Sequence, residues 1–132
     1  MHLLVATIGE LAMLNLTPHA ITIIANDVTT IVEPSGTLAR VTSQSVPTGD
    51  FNGIPVVRTE YGAVEGMPNP PAPCLVSGMV LAQLGVEWRN IAFAPATGPS
   101  DGAIRSDGVT PGPNGEVLAK GQIHAVTKLV TV

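Results

Sequence analysis

The sequence is poor in charge: Asp, Glu, Lys and Arg make up 12% of its 132 residues, about half the usual share of a soluble domain. Six Lys and Arg stand against ten Asp and Glu. That balance leaves no basic stripe to track a phosphate backbone, so neither DNA nor RNA is expected as a partner. Aromatics make up 3%. The single cysteine, Cys74, excludes a disulfide framework. No apolar run reaches the ~18 residues that mark a membrane span. Apolar residues nonetheless reach 45% and the net charge is only −4, which excludes the composition of a disordered chain. What is abundant is Gly and Pro, 14 and 12 residues. An uncharged, looped surface of this kind suits a subunit that covers much of itself against copies or a partner.

Along the chain, residues 1–12 form an apolar segment with no basic n-region, too short for a secretory signal. It reads either as an arm that docks on a neighbour or as a passive extension before Met13. Residues 13–132 read as one domain. LNLTPHAITII (Leu14 to Ile24) is strand-like on both sides of a turn at Pro18. Asn26-Asp27 signals a hairpin turn, with Thr29 to Glu33 returning. Pro34-Ser35-Gly36 is a further turn. Thr37 to Ser43 forms a third strand, in which Leu38 and Val41 break period 2 and point to a bulge. Pro47 to Gly53 reads as loop. Gly53 to Gly66 holds one or two strands, broken near Gly62. Four prolines in seven residues make Met67 to Pro73 an extended connector.

Cys74 begins a buried strand. The one plausible helix follows, from Ser77 as N-cap to Leu84, with Gly85 as its stop. Asn90 to Pro95 is a short apolar strand. Thr97 to Gly115, with five glycines and three prolines, reads as a long surface loop. Gly121 to Val132 alternates cleanly as a closing strand, with Ile123, Ala125, Thr127, Leu129 and Thr131 on one face. The expected fold is therefore β-dominated α+β: a small antiparallel sheet domain with one short helix and a long Gly/Pro-rich loop.

Catalytic chemistry is not signalled. His2, His19 and His124 stand at no metal-ligand spacing, so no metal or cofactor is expected. Glu60 and Glu65 do not form an acid/base pair. Nucleophile elbow, phosphate loop and dinucleotide fingerprint are all missing. Cys74 reads as a small buried filler and Trp88 as a lid on the core. Asp101 and Asp107 flank Arg105 and read as turn formers or as its ion-pair partners. Glu33 and Glu60 are available to Arg40 and Arg58. The segment APATGPSDGAIR (Ala94 to Arg105) brings together small residues, backbone N–H groups at Thr97 and Gly98, and one guanidinium. Gly-rich turns present N–H groups to anions, and an Arg fork grips phosphate oxygens in pairs. The alternative for this segment is a flexible surface loop.

The segments NLTPHAITI, PSGTLARV, GIPVVRTEYGAVEGMP, LVSGMVLAQL, APATGPSDGAIR and GQIHAVTKL cover most of the chain from Asn15 onward. In that order they resemble a family of small phage- and prophage-encoded proteins. The layout looks like the Thoeris anti-defence sponge proteins, which sequester cyclic ADP-ribose-type signals and in some cases cyclic oligonucleotides. The resemblance implies a viral source, a place in the host cytoplasm, and homo-oligomers with ligand pockets between subunits. It implies a ligand set of Arg40 on a strand, with Asn90 and Arg105 as later polar contacts. Two departures stand out: residues 1–12, and the stretch from Ser106 to Lys120 where the family has a short turn. The expected function is a non-catalytic sponge for a small nucleotide-derived ligand, held by Arg40, Asn90, Thr97, Gly98 and Arg105. A virion structural protein, such as a capsid decoration protein, fits the same composition.

Overall fold

The computed structural model describes residues 5–8, 11–113 and 115–132. Strands dominate it, with one short α-helix. A five-stranded sheet forms its centre, in the order β1 (Val5–Ile8), β2 (Leu11–Asn15), β7 (Cys74–Leu75), β8 (Ala92–Pro95) and β11 (Leu129–Thr131). The outer pairs β1–β2 and β8–β11 are antiparallel. The inner pairs β2–β7 and β7–β8 are parallel. The apolar run CLV explains the middle: Cys74, Leu75 and Val76 are all fully buried, as a strand covered on both faces must be.

The parallel step from β7 to β8 requires a crossover, and α1 (Gly78–Ala82) supplies it. Ser77 is its N-cap, with Oγ accepting from the Val80 amide at 3.2 Å. The helix ends at Gln83. Gly85 then opens a single 3-10 turn, Val86–Trp88. Both the capped start and the stop agree with the sequence.

Side chains alternate between two cores. On one face Cys74, Val76, Ala92 and Ala94 pack with Leu16, Val80 and Leu81, and Trp88 closes over them. On the other, Met13, Leu75, Ile23, Val32 and Val126 pack together with Phe93. The second face is covered by the hairpin of β3 (Ile21–Ala25) and β4 (Val28–Val32). Its turn residues Asn26 and Asp27 both have positive φ, 52° and 62°. That conformation matches the right-handed twist of a hairpin, and Asn and Asp tolerate it best after Gly. The proline-rich connector 67–73 carries neither helix nor strand.

Three expectations change. First, Pro47 to Gly53 is not loop. It lies in a long ribbon of β5 (Arg40–Phe51) and β6 (Ile54–Glu65), turned by Asn52-Gly53 with φ of 51° and 85°. Asn-Gly is the strongest short hairpin signal; Pro47, Gly49 and Asp50 masked it as strand breakers. Pro47 is tolerated because a two-stranded ribbon has an outer edge on which no N–H is demanded. Register shifts fall between Pro47 and Gly49 and between Val41 and Ser43; at the latter the extra residue is on β6, at Gly62–Ala63, rather than on the strand where a bulge was expected. β6 runs unbroken past Gly62, where an added Cβ would strike the Thr42 side chain.

Second, Gly121 to Val132 is two strands, β10 (Ile123–Ala125) and β11, rather than one. The segment changes partners: β10 pairs with β9 (Ile104–Arg105), Val126 bridges to Ile23, and β11 pairs with β8. Third, the Thr97 to Gly115 loop contains β9 (Ile104–Arg105). As for the N-terminal arm, residues 1–4, 9 and 10 lie outside the described residues, while Val5–Ile8 pairs with β2.

Candidate functional site

The pairing of β9 with β10 builds the cleft that Arg105 borders. Arg105 stands opposite Ile123 and Ile104 opposite Ala125, so His124 is the extra residue of a bulge. A bulge re-aims a side chain that regular alternation would place elsewhere. Arg105 and His124 thereby border one cleft of about 540 Å³, with Ile104, Asp107, Thr110 and the turn Pro111–Pro113. Gly112 lies so close to the His124 ring that an added Cβ would collide with it.

The Arg105 guanidinium is fixed but not used up. Nη1 donates to the Gly121 carbonyl at 2.9 Å and Nη2 to the Thr97 carbonyl at 3.2 Å. A guanidinium has five N–H donors, so three remain after these two bonds. The segment from Ser106 to Lys120 is anchored at its base by buried Ser106. Its Oγ donates to the Leu118 carbonyl at 2.7 Å and accepts from the Gly108 amide at 2.9 Å.

Asp107 shapes the next turn. Its carboxylate accepts from the amides of Val109 and Thr110 and from the Thr110 hydroxyl, at 2.8, 2.7 and 2.6 Å. The Thr110 hydroxyl and these amides hold its pKa down at about 2. The carboxylate bonds are stronger in the folded chain than in the unfolded one, so they add stability above the ordinary value of 3.8. That contribution is lost as pH falls from about 4 to about 2. The melting temperatures of wild type and Asp107→Asn are therefore expected to differ near neutral pH and to converge over that interval. A gap that stays constant would exclude this carboxylate as the cause.

Of the five residues expected at the site, one, Arg105, lines this cleft, and Thr97 touches it from outside. The Thr97 carbonyl accepts from Arg105, but Thr97 and Gly98 line a different cleft from the one that Arg105 borders. The Gly98 amide, expected to face an anion, instead donates to Asp101 Oδ2 at 2.7 Å. Asp101 closes its own turn, as its N–H donates back to the Gly98 carbonyl. Neither flanking Asp pairs with Arg105, and both are turn formers. Arg40 and Asn90 line no part of the Arg105 cleft. Arg40 is exposed at the start of β5, opposite Glu65. Asn90, at φ 59°, donates its N–H to Thr131 Oγ1 at 2.8 Å. Its neighbour Arg89 donates to the Val132 carbonyl at 3.0 Å.

His124, Asp107 and Thr110 were not singled out as ligand contacts. Nothing in the sequence signals the His124 bulge, because strict alternation places that ring opposite Ile123 without naming its neighbours. A second, more apolar cleft of about 490 Å³ lies on the far side of Thr97 and Gly98, between α1 and β11. Cys74 is buried at the sheet centre, and desolvation raises its thiol to about 11, which removes it as a nucleophile near neutral pH. Among the described residues no three His, Cys, Asp or Glu are grouped to hold a metal. Among the described residues no helix is long and apolar enough to cross a membrane. No protein-family model, no curated protein and no solved structure matches this chain.

Proposed function

We propose that this protein is a phage-encoded sponge, which binds a small phosphorylated, nucleotide-derived signal and holds it without turning it over. The observation that carries this reading is the Arg105 cleft. An anchored guanidinium with free donors, a ring nitrogen pair at His124 and the Thr110 hydroxyl border a space of about 540 Å³. That volume lies in the range of small-ligand sites. Pre-fixing the guanidinium on two carbonyls lowers the ordering cost of gripping a phosphate. Cyclic ADP-ribose isomers and cyclic dinucleotides are the ligand class implied by the likeness of segments such as APATGPSDGAIR. The viral source and the host cytoplasm as place of action rest on that same likeness.

The test is a melting experiment with cyclic ADP-ribose isomers and cyclic dinucleotides. A ligand that binds only the folded chain at 100 times its Kd stabilises it by about 2.7 kcal/mol. For a chain of this size that is a rise of roughly 8 °C. The ligand is expected to be recovered chemically intact after heating. No rise with any of these nucleotides, or recovery of a cleaved product, would sink the proposal.

A second reading, a virion structural protein such as a decoration protein, is favoured by the β5–β6 ribbon. It exposes Phe51, Ile54 and Val57 by 67, 62 and 53%. Mass spectrometry of purified virions separates the two, since a structural protein must be present in many copies.

A further inference from the structure

We propose that the free edge of β6 pairs with the β6 edge of a second copy of this chain, around a two-fold axis at Thr59. The inference is independent of any ligand. Its starting point is an excess of surface. The chain exposes 8433 Å², whereas a compact monomer of 13.5 kDa exposes about 6,500 Å². Stable interfaces bury about 800 Å² per partner, well within that excess. Among the described residues, the β5–β6 ribbon is exposed along nearly its whole length, and its twelve-residue strands pair only with each other. An isolated two-stranded hairpin is marginal in water, and its long open edges invite another strand.

The orientation of the edge follows from the turn. Residues flanking a two-residue hairpin loop exchange both backbone hydrogen bonds. Phe51 and Ile54 flank Asn52-Gly53, so the even-numbered β6 residues turn their backbone groups toward β5. Odd-numbered Val57, Thr59 and Tyr61 turn theirs to the open edge. An antiparallel copy centred on Thr59 bonds Thr59 to Thr59 and Val57 to Tyr61.

The charges single out a second copy as the occupant. Arg58 and Glu60 share one face of β6 and pair within the chain at 2.6 Å, both side chains exposed. About the Thr59 axis each Arg58 faces the other copy's Glu60, twice per dimer. These are non-hydrogen-bonded positions, where side chains approach most closely. The same register lays the apolar tip, Phe51 and Ile54, beside the base of the other ribbon near Val64.

The test is charge exchange, read by sedimentation equilibrium, with circular dichroism to verify folding. Wild type is expected to be a dimer. Arg58→Glu and Glu60→Arg each place like charges across the axis, and each is expected to weaken self-association at least tenfold. An equimolar mixture of these two variants is expected to restore a 1:1 heterodimer, because one brings only acids to the axis and the other only bases. A monomeric wild type, an unweakened single variant, or a mixture that stays monomeric would each overturn the proposal.

Discussion

Replacing Asn15 with Leu is expected to destabilise the chain by about 3–4 kcal/mol, a fall of roughly 10 °C in melting temperature for this length. Asn15 is fully buried yet polar, and every part of its amide is used. Nδ2 donates to the Val32 and His19 carbonyls, both at 2.8 Å. Oδ1 accepts from the Thr17 amide at 2.9 Å and from the Thr17 hydroxyl at 2.7 Å. Its own carbonyl accepts from the Ser35 amide at 2.9 Å. The residue therefore ties the end of β2 to the Thr17–His19 turn and to the β3–β4 hairpin. Leu fits the volume but strips the Thr17 amide and hydroxyl of their acceptor and takes one donor from each of the His19 and Val32 carbonyls, the latter on a valine of 0% exposure. Asn15→Asp is the sharper control. It keeps the acceptor for Thr17 but puts a second oxygen against two carbonyls, so its loss should shrink as acid neutralises the carboxyl. Thermal melts of both variants at neutral pH, and of the Asp variant down to pH 4, check the argument. A loss under 1 kcal/mol for Leu would mean that the turn and the hairpin are held elsewhere.

Asn15 also illustrates what the sequence conveys and what it withholds. NLTPHAITI shows a turn, since Pro18 and the β-branched residues around it are local signals. That the Asn at its start is the joint of two sheets depends on Val32, seventeen residues away, and no local pattern carries that. The same division holds throughout. Asn26-Asp27, the Ser77 cap and the CLV strand were legible because backbone preference and burial pattern act within a few residues. The β5–β6 ribbon was half legible: an irregularity was expected near Val41 and falls instead on the facing strand at Gly62–Ala63, and Pro47 outweighed Asn52-Gly53. The C-terminal segment misled because alternation persists in a strand that changes partners. At the site, Arg105 could be named, since guanidinium is scarce in this chain and follows a Gly-rich turn. His124 could not, because its direction is set by a bulge that exists only once β10 has paired with β9.

Arg105→Ala is expected to lower affinity for the phosphorylated ligand by about 30- to 1,000-fold, the equivalent of about 2–4 kcal/mol for charge-assisted bonds to a phosphate. Stability should change far less, because the bonds lost to Gly121 and Thr97 are on an exposed side chain. Arg105→Lys is expected to recover little. An ammonium can meet one carbonyl or the phosphate, but it cannot bridge two carbonyls and still offer a planar pair of donors. Gly112→Ala tests the opposite wall, since its methyl must displace the His124 ring. It should weaken binding while leaving Arg105 in place. Arg40→Ala then separates two geometries. If the ligand sits within the cleft of one chain, Arg40 is too remote to matter, as it lines no part of that cleft. If the ligand sits between subunits, Arg40 at the base of the β5–β6 ribbon can be supplied by a neighbour, and its loss should weaken binding as strongly as that of Arg105. Isothermal titration of the four variants reads all of these effects together. Unchanged affinity in both arginine-to-alanine variants would remove the phosphate contact from this face of the molecule altogether.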